Sequence, residues 1–108
     1  MRRPSITILI VAAVIAAARE APAQEFGDLA AGRALATQVC SECHAVSAED
    51  ATSPNPQAPR FVAVAATPGM TAAALNAFLH TSHRSMPNLL LSDDQANGVI
   101  AYILSLKK

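Results

Sequence analysis

Large aromatic residues are scarce in this 108-residue chain, which contains no tryptophan, one tyrosine and three phenylalanines. Aromatic rings usually supply much of the buried area in a small protein. A short chain also buries only a modest share of its surface. The scarcity therefore suggests that something other than side chains fills the centre of the fold.

Clusters of basic residues are also missing. From residue 24 onward, five basic residues stand against seven acidic ones with the histidines neutral, and two of the five basic residues are the last two of the chain. A nucleic-acid-binding domain normally presents a basic patch or stripe. The charge balance therefore argues against nucleic acid as a partner.

The main apolar run is too short to span a membrane. It covers the 13 residues from Ile6 to Ala18, whereas a spanning helix needs about 20. The charged start Met1-Arg2-Arg3 precedes it, and the small-x-small sequence Ala21-Pro22-Ala23 follows it. This order is typical of a secretory signal peptide. We expect cleavage after residue 23, which leaves residues 24–108 as an exported, periplasmic domain without a stable membrane span.

Apolar periodicity and capping residues predict three main helices, and no stretch shows the pattern of a strand. The first helix is predicted from about Leu29 to Cys40 with Asp28 as its N-cap. The second is predicted from Thr71 to His80, and the third begins at the capping box Ser92-Asp93-Asp94-Gln95. Three prolines between the first two helices argue against a continuous helix there. The chain is therefore predicted to be all-α.

The two cysteines stand three residues apart and are followed by histidine, in Cys40-Ser41-Glu42-Cys43-His44. This C-x-x-C-H pattern is typical of c-type haem attachment. Near a helix end, both thiols lie on one side of a turn and reach two vinyl groups on one haem edge, while the histidine points toward iron. A thioredoxin-like pair would need a βαβ context, and a structural zinc site would need four ligands. The motif therefore predicts one haem c and its iron, bound by Cys40, Cys43 and His44.

Most of the chain after the leader resembles class I c-type cytochromes, specifically the short bacterial mono-haem members. Besides the haem motif, it has Gly32 eight residues before the first cysteine and Tyr102 in the last helix. In this family the first and last helices cross closely at such a glycine, with the aromatic residue packed nearby. Ala36 departs from the pattern, because relatives often have an aromatic residue there. The resemblance implies a cytochrome c fold, with three main helices and short turns around one covalently attached haem.

The resemblance also implies the second iron ligand. Class I members use a methionine between the penultimate and last helices, which is where Met86 lies. A thioether is a soft ligand that favours ferrous iron and so raises the reduction potential. Met70 is the other methionine of the domain, and His80 or His83 would instead give iron with two histidine ligands. We predict Met86.

Further haem contacts follow from the same resemblance. In the family, a proline carbonyl in a Gly-Pro-x-Leu-like stretch accepts a hydrogen bond from the ligating histidine. Ala58-Pro59-Arg60-Phe61 matches this stretch best, so Pro59 is predicted, with Pro56 as the second candidate. Asn88 is predicted to donate to the sulfur of Met86. The candidates for contact with the haem propionates, which are equally well interpreted as surface groups, are Arg60, His83 and Arg84.

These features indicate a monomeric single-electron carrier between periplasmic donor and acceptor proteins, and not an enzyme. The domain offers no nucleophile with a base and no carboxylate pair. An alternative is a haem-bearing subunit of a periplasmic dehydrogenase or other oxidoreductase complex. A peroxidase or a gas sensor would need a labile sixth ligand. We expect partners to dock on a mostly uncharged surface formed by Val39, Ala45, Val46 and residues 87–91.

Overall fold

The computed structural model describes residues 27–83 and 85–108, which form four α-helices and contain no strand. The helices are α1 (Leu29–Gln38), α2 (Phe61–Ala66), α3 (Ala72–Leu79) and α4 (Asp93–Ser105), and a 3₁₀ turn spans Cys40–Glu42. The all-α prediction is confirmed. None of these described helices combines the length and the hydropathy of a bilayer-spanning segment. The predicted signal peptide, residues 1–23, lies outside the described residues.

Side-chain caps determine where three of the helices begin. Asp28 and Thr71 each accept a hydrogen bond from the backbone N–H three residues later, at 3.0 and 3.1 Å. Ser92 and Gln95 form the predicted capping box, with each side chain accepting from the other residue's backbone N–H. These bonds satisfy N–H groups that have no partner within a helix. The predicted starts of α1, α3 and α4 are therefore confirmed.

The first helix ends earlier than predicted, at Gln38 and not at Cys40. The Thr37 hydroxyl donates to the Arg33 carbonyl at 2.9 Å, and the Ser41 hydroxyl donates to the Thr37 carbonyl at 2.5 Å. Hydroxyl groups of this kind compete with the regular helical ladder. The chain then tightens into a 3₁₀ turn, which is common at helix ends. The haem motif consequently lies on this turn and not on α1.

The helix α2 was not predicted, because it lies in the connection where prolines argue against a continuous helix. The last of those prolines, Pro59, comes before the helix begins. Arg60 is the N-cap in an extended conformation, and Phe61 is the first helical residue. Phe61 and Ala65 are buried, and α2 packs on α4. Tertiary packing therefore stabilises a helix of six residues that is too short to be stable alone.

The helices α1 and α4 cross with their backbones in contact. A Cβ added to Gly32 would lie 1.8 Å from the carbonyl oxygen of Gly98, so only glycine fits there. A Cβ added to Gly98 would lie 3.2 Å from the Cα of Gly32. Tyr102 is buried four residues further along α4. The close crossing at Gly32 is confirmed, and Gly98 is a counterpart that the sequence did not reveal.

The hydrophobic core lies where α4 packs on the other three helices. Its largest fully buried side chains are Ile100 and Val99 of α4. Ala36 of α1 has no exposed surface. A larger side chain at this position would have to displace its neighbours in the close crossing. The alanine is therefore consistent with the short distance between the two helices.

Replacing Gly32 by alanine should lower the free energy of unfolding of the holoprotein by about 3 kcal/mol, at the upper end of overpacking costs. The reason is that the new methyl group would meet the backbone of α4, which cannot rotate away as a side chain would. Denaturation by guanidinium chloride measures the change. The control is Ala34→Gly at an exposed position of α1, which should cost only about 1 kcal/mol. A Gly32→Ala variant no less stable than this control would contradict the crossing.

Candidate functional site

The haem motif forms a tight turn directly after α1. The backbone N–H groups of Cys43 and His44 both donate to the Cys40 carbonyl, at 3.1 and 2.9 Å. Both cysteines are free and half-buried, and both line the same cavity. The turn therefore presents two thiols and one imidazole to a common space.

Burial raises the pKa of the Cys40 thiol, an effect that a backbone hydrogen bond only partly offsets. The thiolate is the form that binds metal ions, so this environment disfavours direct coordination by Cys40. A thioether carries no charge and avoids that cost. Among the described residues, no group of three or more His, Cys, Asp or Glu side chains is arranged to hold a metal ion. The donor set therefore fits covalent attachment of a cofactor better than a zinc site.

A cavity of about 620 Å³ opens beside the motif. Its volume lies within the range of roughly 300–1,000 Å³ that small-molecule and cofactor sites occupy. Its apolar lining comes from Val39, Pro59, Phe61, Ala63, Val64, Leu75, Phe78, Leu79, Pro87, Leu89, Val99 and Ile103. Two methionines, Met70 and Met86, also line it. Apolar walls with two thiols and an imidazole on one side suit a large, flat, mostly apolar group such as haem.

The His44 imidazole is held by the chain segment before α2. Its Nδ1 lies 2.7 Å from the Pro59 carbonyl oxygen, and a carbonyl can only accept, so Nδ1 donates. The Nε2 lone pair is then left for a metal. Pro56 is exposed and is not among the described residues that line the cavity. The structure therefore places Pro59, the first of the two predicted prolines, against His44.

The residues around the motif are anchored by hydrogen bonds that sequence reasoning did not foresee. Ala45 receives a hydrogen bond from the Phe61 N–H to its carbonyl at 2.9 Å, and its own N–H donates to Ser53 Oγ at 3.0 Å. The carbonyl of Val46 accepts from the Tyr102 hydroxyl at 2.6 Å. The segment that follows His44 is therefore tied both to the start of α2 and to α4.

The other predicted site residues are dispersed. Met86 is half-buried and lines the cavity, whereas Asn88 is exposed and is not among the lining residues. Arg60 donates from Nε to the Asp50 carbonyl at 2.8 Å and also lies outside the lining. Arg84 lies outside the described residues. The structure therefore brings Met86, but not Asn88, to the wall that the motif shares.

Both candidate histidine ligands are engaged near the end of α3. The Nε2 of His83 lies 2.7 Å from the Phe78 carbonyl oxygen, and the His83 ring lies 4.0 Å from the Phe78 ring, centroid to centroid. The Nδ1 of His80 lies 2.8 Å from the Asn76 carbonyl oxygen. His83 lines the cavity, but His80 does not. These contacts close carbonyl groups at a helix end.

Comparison with known proteins agrees with this site. The family model described as "Cytochrome C oxidase, cbb3-type, subunit III" matches residues 27–103. A cytochrome c-552 from Bradyrhizobium diazoefficiens is 34% identical over 100 residues, which cover 93% of this chain and 92% of that protein. No solved structure shows a significant match.

The matched region includes the whole haem motif, since Cys40, Cys43 and His44 all lie within residues 27–103. The cofactor is therefore haem c with its iron, covalently bound, and the activity is haem-based electron transfer with redox proteins as partners. The prediction of a small c-type cytochrome is confirmed. This chain belongs to the cytochrome c family.

Proposed function

We propose that this chain is a monomeric one-electron carrier in which Cys40 and Cys43 attach haem through thioethers and His44 and Met86 ligate its iron. The observation that supports the proposal is the single cavity lined by all four of these side chains. Haem bound there supplies a reversible ferric–ferrous couple. The protein contributes attachment, orientation and exclusion of water.

The choice of Met86 over the histidines follows from hydrogen bonding. A nitrogen that contacts a carbonyl oxygen must carry a proton and has no lone pair left for iron. The Nε2 of His83 is in this state, because it faces the Phe78 carbonyl. His80 is not among the described cavity-lining residues. The thioether of Met86 needs no such change of partner.

Met70 also lines the cavity, so the second methionine must be weighed separately. Met70 packs against the hydrophobic core, and its backbone N–H donates to the Thr67 carbonyl at 3.0 Å in the turn before α3. Met86 lies in the connection between α3 and α4, the place where the resembled family has its ligand. This position favours Met86 as the ligand and Met70 as a packing residue.

The lining of the cavity supports a carrier and not an enzyme. Among the described residues, Glu42 is the one carboxylate on the cavity wall. A hydrolytic or proton-abstracting site would need a second group with a matched role. The apolar walls instead keep water away from the iron, which stabilises one set of ligands through the redox cycle.

Export to the periplasm completes the proposal. The pattern of residues 1–23 supports a cleaved signal peptide. Its removal would leave residues 24–108 as the mature carrier. Covalent haem attachment suits an exported protein, because the cofactor cannot be lost to the surroundings.

The proposed docking surface differs in part from the one expected from the sequence. Ala45 and Val46 are buried, with 2% and 6% exposure, so they belong to the core and not to the surface. Val39 and Leu90 are exposed, and Phe78 is an exposed cavity-lining residue that sequence reasoning missed. The apolar rim, defined here as Val39, Phe78 and Leu90, carries no charge. We infer short-range apolar docking with weak electrostatic steering.

The second-order rate of electron transfer to the physiological redox partner tests this carrier role. Between about 10 mM and 200 mM salt, where the Debye length falls several-fold, the rate should change by less than about tenfold. Leu90→Ser should slow the reaction at every salt concentration, because Leu90 is 92% exposed and contributes apolar contact area. Lys107→Ser, which removes a charge outside the rim, should leave the rate unchanged. A steeper fall with salt would instead indicate docking through charged patches.

A second candidate function is that of a haem-bearing subunit in an oxidoreductase complex. The observation that favours it is the description of the matching family, which names subunit III of an oxidase. The same cavity and ligands would serve in either role, because only the permanence of the partner differs. Gentle purification of the exported protein distinguishes the two, since a subunit would copurify with a large partner in fixed ratio.

A further inference from the structure

The start of α2 contacts His44 at two different points. The Pro59 carbonyl accepts the hydrogen bond from Nδ1, at 2.7 Å. The Phe61 ring lies 5.4 Å from the imidazole, centroid to centroid, with an interplanar angle of 51°. This distance and tilt fall in the range that aromatic pairs prefer, roughly 4.5–7 Å and away from a face-to-face sandwich. Two residues of one short segment thus restrain the same imidazole.

The hydrogen bond to Pro59 does not by itself fix the plane of the imidazole. The last torsion of a histidine side chain is broad, with no narrow staggered wells. A carbonyl oxygen also accepts over a wide range of directions. The Nδ1 atom is therefore held in place, while the ring keeps some freedom to rotate about it. The tilted Phe61 ring restricts that rotation.

Phe61 is itself firmly held. It is 5% exposed, and its backbone N–H donates to the Ala45 carbonyl at 2.9 Å. Its ring lies 6.4 Å from the Tyr102 ring at an interplanar angle of 56°. Tyr102 is fixed in turn by the hydrogen bond from its hydroxyl to Val46. A continuous set of contacts therefore runs from α4 through Phe61 to His44.

We propose that Phe61 is a positioning residue that sets the orientation of the His44 imidazole plane. This proposal rests on the proposed ligation of iron by His44. In the resembled Gly-Pro-x-Leu-like stretch the equivalent position has leucine, which has no flat face or edge to set a ring angle. The aromatic ring in this chain therefore adds a restraint that an aliphatic side chain would not provide.

The test is ¹H NMR of the holoprotein. In the ferric state, the plane of the axial imidazole governs how unpaired spin spreads over the macrocycle, and hence the pattern of haem methyl shifts. Phe61→Leu and Phe61→Met should change this pattern while His44 remains bound. Ile100→Val is the control, because Ile100 is fully buried but is not among the described cavity-lining residues. It should lower stability and leave the pattern as in the wild type.

A folded Phe61→Leu holoprotein with the wild-type pattern would overturn the proposal. The wild-type ferrous protein supplies an independent test, because nuclear Overhauser effects should connect the ring protons of Phe61 and His44. Their absence would also overturn it, even if neither variant accumulates. A wild-type spectrum without the strongly upfield-shifted ring protons of a ligated histidine would instead refute His44 ligation itself. The two failures are therefore distinguishable.

Discussion

Replacing His44 by alanine should abolish the stable holoprotein. The change removes the proposed iron ligand, the hydrogen bond to Pro59 and the contact with Phe61 together. Loss of a group that merely supports a ligand already costs about 10- to 100-fold in metal affinity. We therefore expect less than about one-tenth of the wild-type yield of holoprotein. Haem staining of a denaturing gel, with the protein exported from a host that matures c-type cytochromes, measures it.

The cysteine variants should be affected less severely than His44→Ala. Cys40→Ala and Cys43→Ala each leave one thiol on the cavity wall, so one thioether can still form. The control is His80→Ala, because His80 is not among the described residues that line the cavity. It should give a normal yield. A His44→Ala protein with the yield and spectrum of the wild type would show that another residue holds the iron.

Replacing Met86 by alanine should remove the weak sulfur-to-iron band of the ferric protein at the red end of the spectrum. It should also lower the reduction potential by something on the order of 100 mV, since axial ligands tune haem potentials over about 0.8 V. The physical reason is that a soft thioether favours ferrous iron. The vacated position should then bind cyanide or carbon monoxide. Visible spectroscopy and a potentiometric titration measure these changes.

The matched control is Met70→Leu, which alters the other methionine of the cavity while keeping an apolar side chain of similar size. It should keep the red band, the potential and the closed iron. A wild-type spectrum typical of two histidine ligands, lost in His83→Ala or His80→Ala, would show that Met86 is not the ligand. Such a result would require His83 to release the Phe78 carbonyl when haem binds.

Local chemistry explains what could be predicted of the fold. The caps at Asp28, Thr71 and Ser92 depend on residues within three positions of each other, so the starts of α1, α3 and α4 were visible in the sequence. The helix α2 was missed, because its stability comes from packing on α4 and not from its own six residues. The end of α1 was missed because Thr37 and Ser41 turn their hydroxyls back onto the backbone.

The site was predictable where a motif encodes it and not where tertiary contacts build it. Cys40, Cys43 and His44 are adjacent in sequence, so their grouping needs no knowledge of the fold. Phe61 reaches His44 only because the chain returns past the motif before α2 begins. Ala45 was expected on the surface and is buried, since burial depends on the distant elements that cover it.

The most direct test of the central claim is whether haem stays with the polypeptide after denaturation and acid–acetone extraction of the exported wild-type protein. Cys40 and Cys43 lie on one turn and face one cavity, so the account predicts two thioethers. The haem should remain with the protein, the intact mass should equal the mature chain plus one haem, and the pyridine haemochrome should be of the c type. Clean extraction of haem into the solvent would contradict the account.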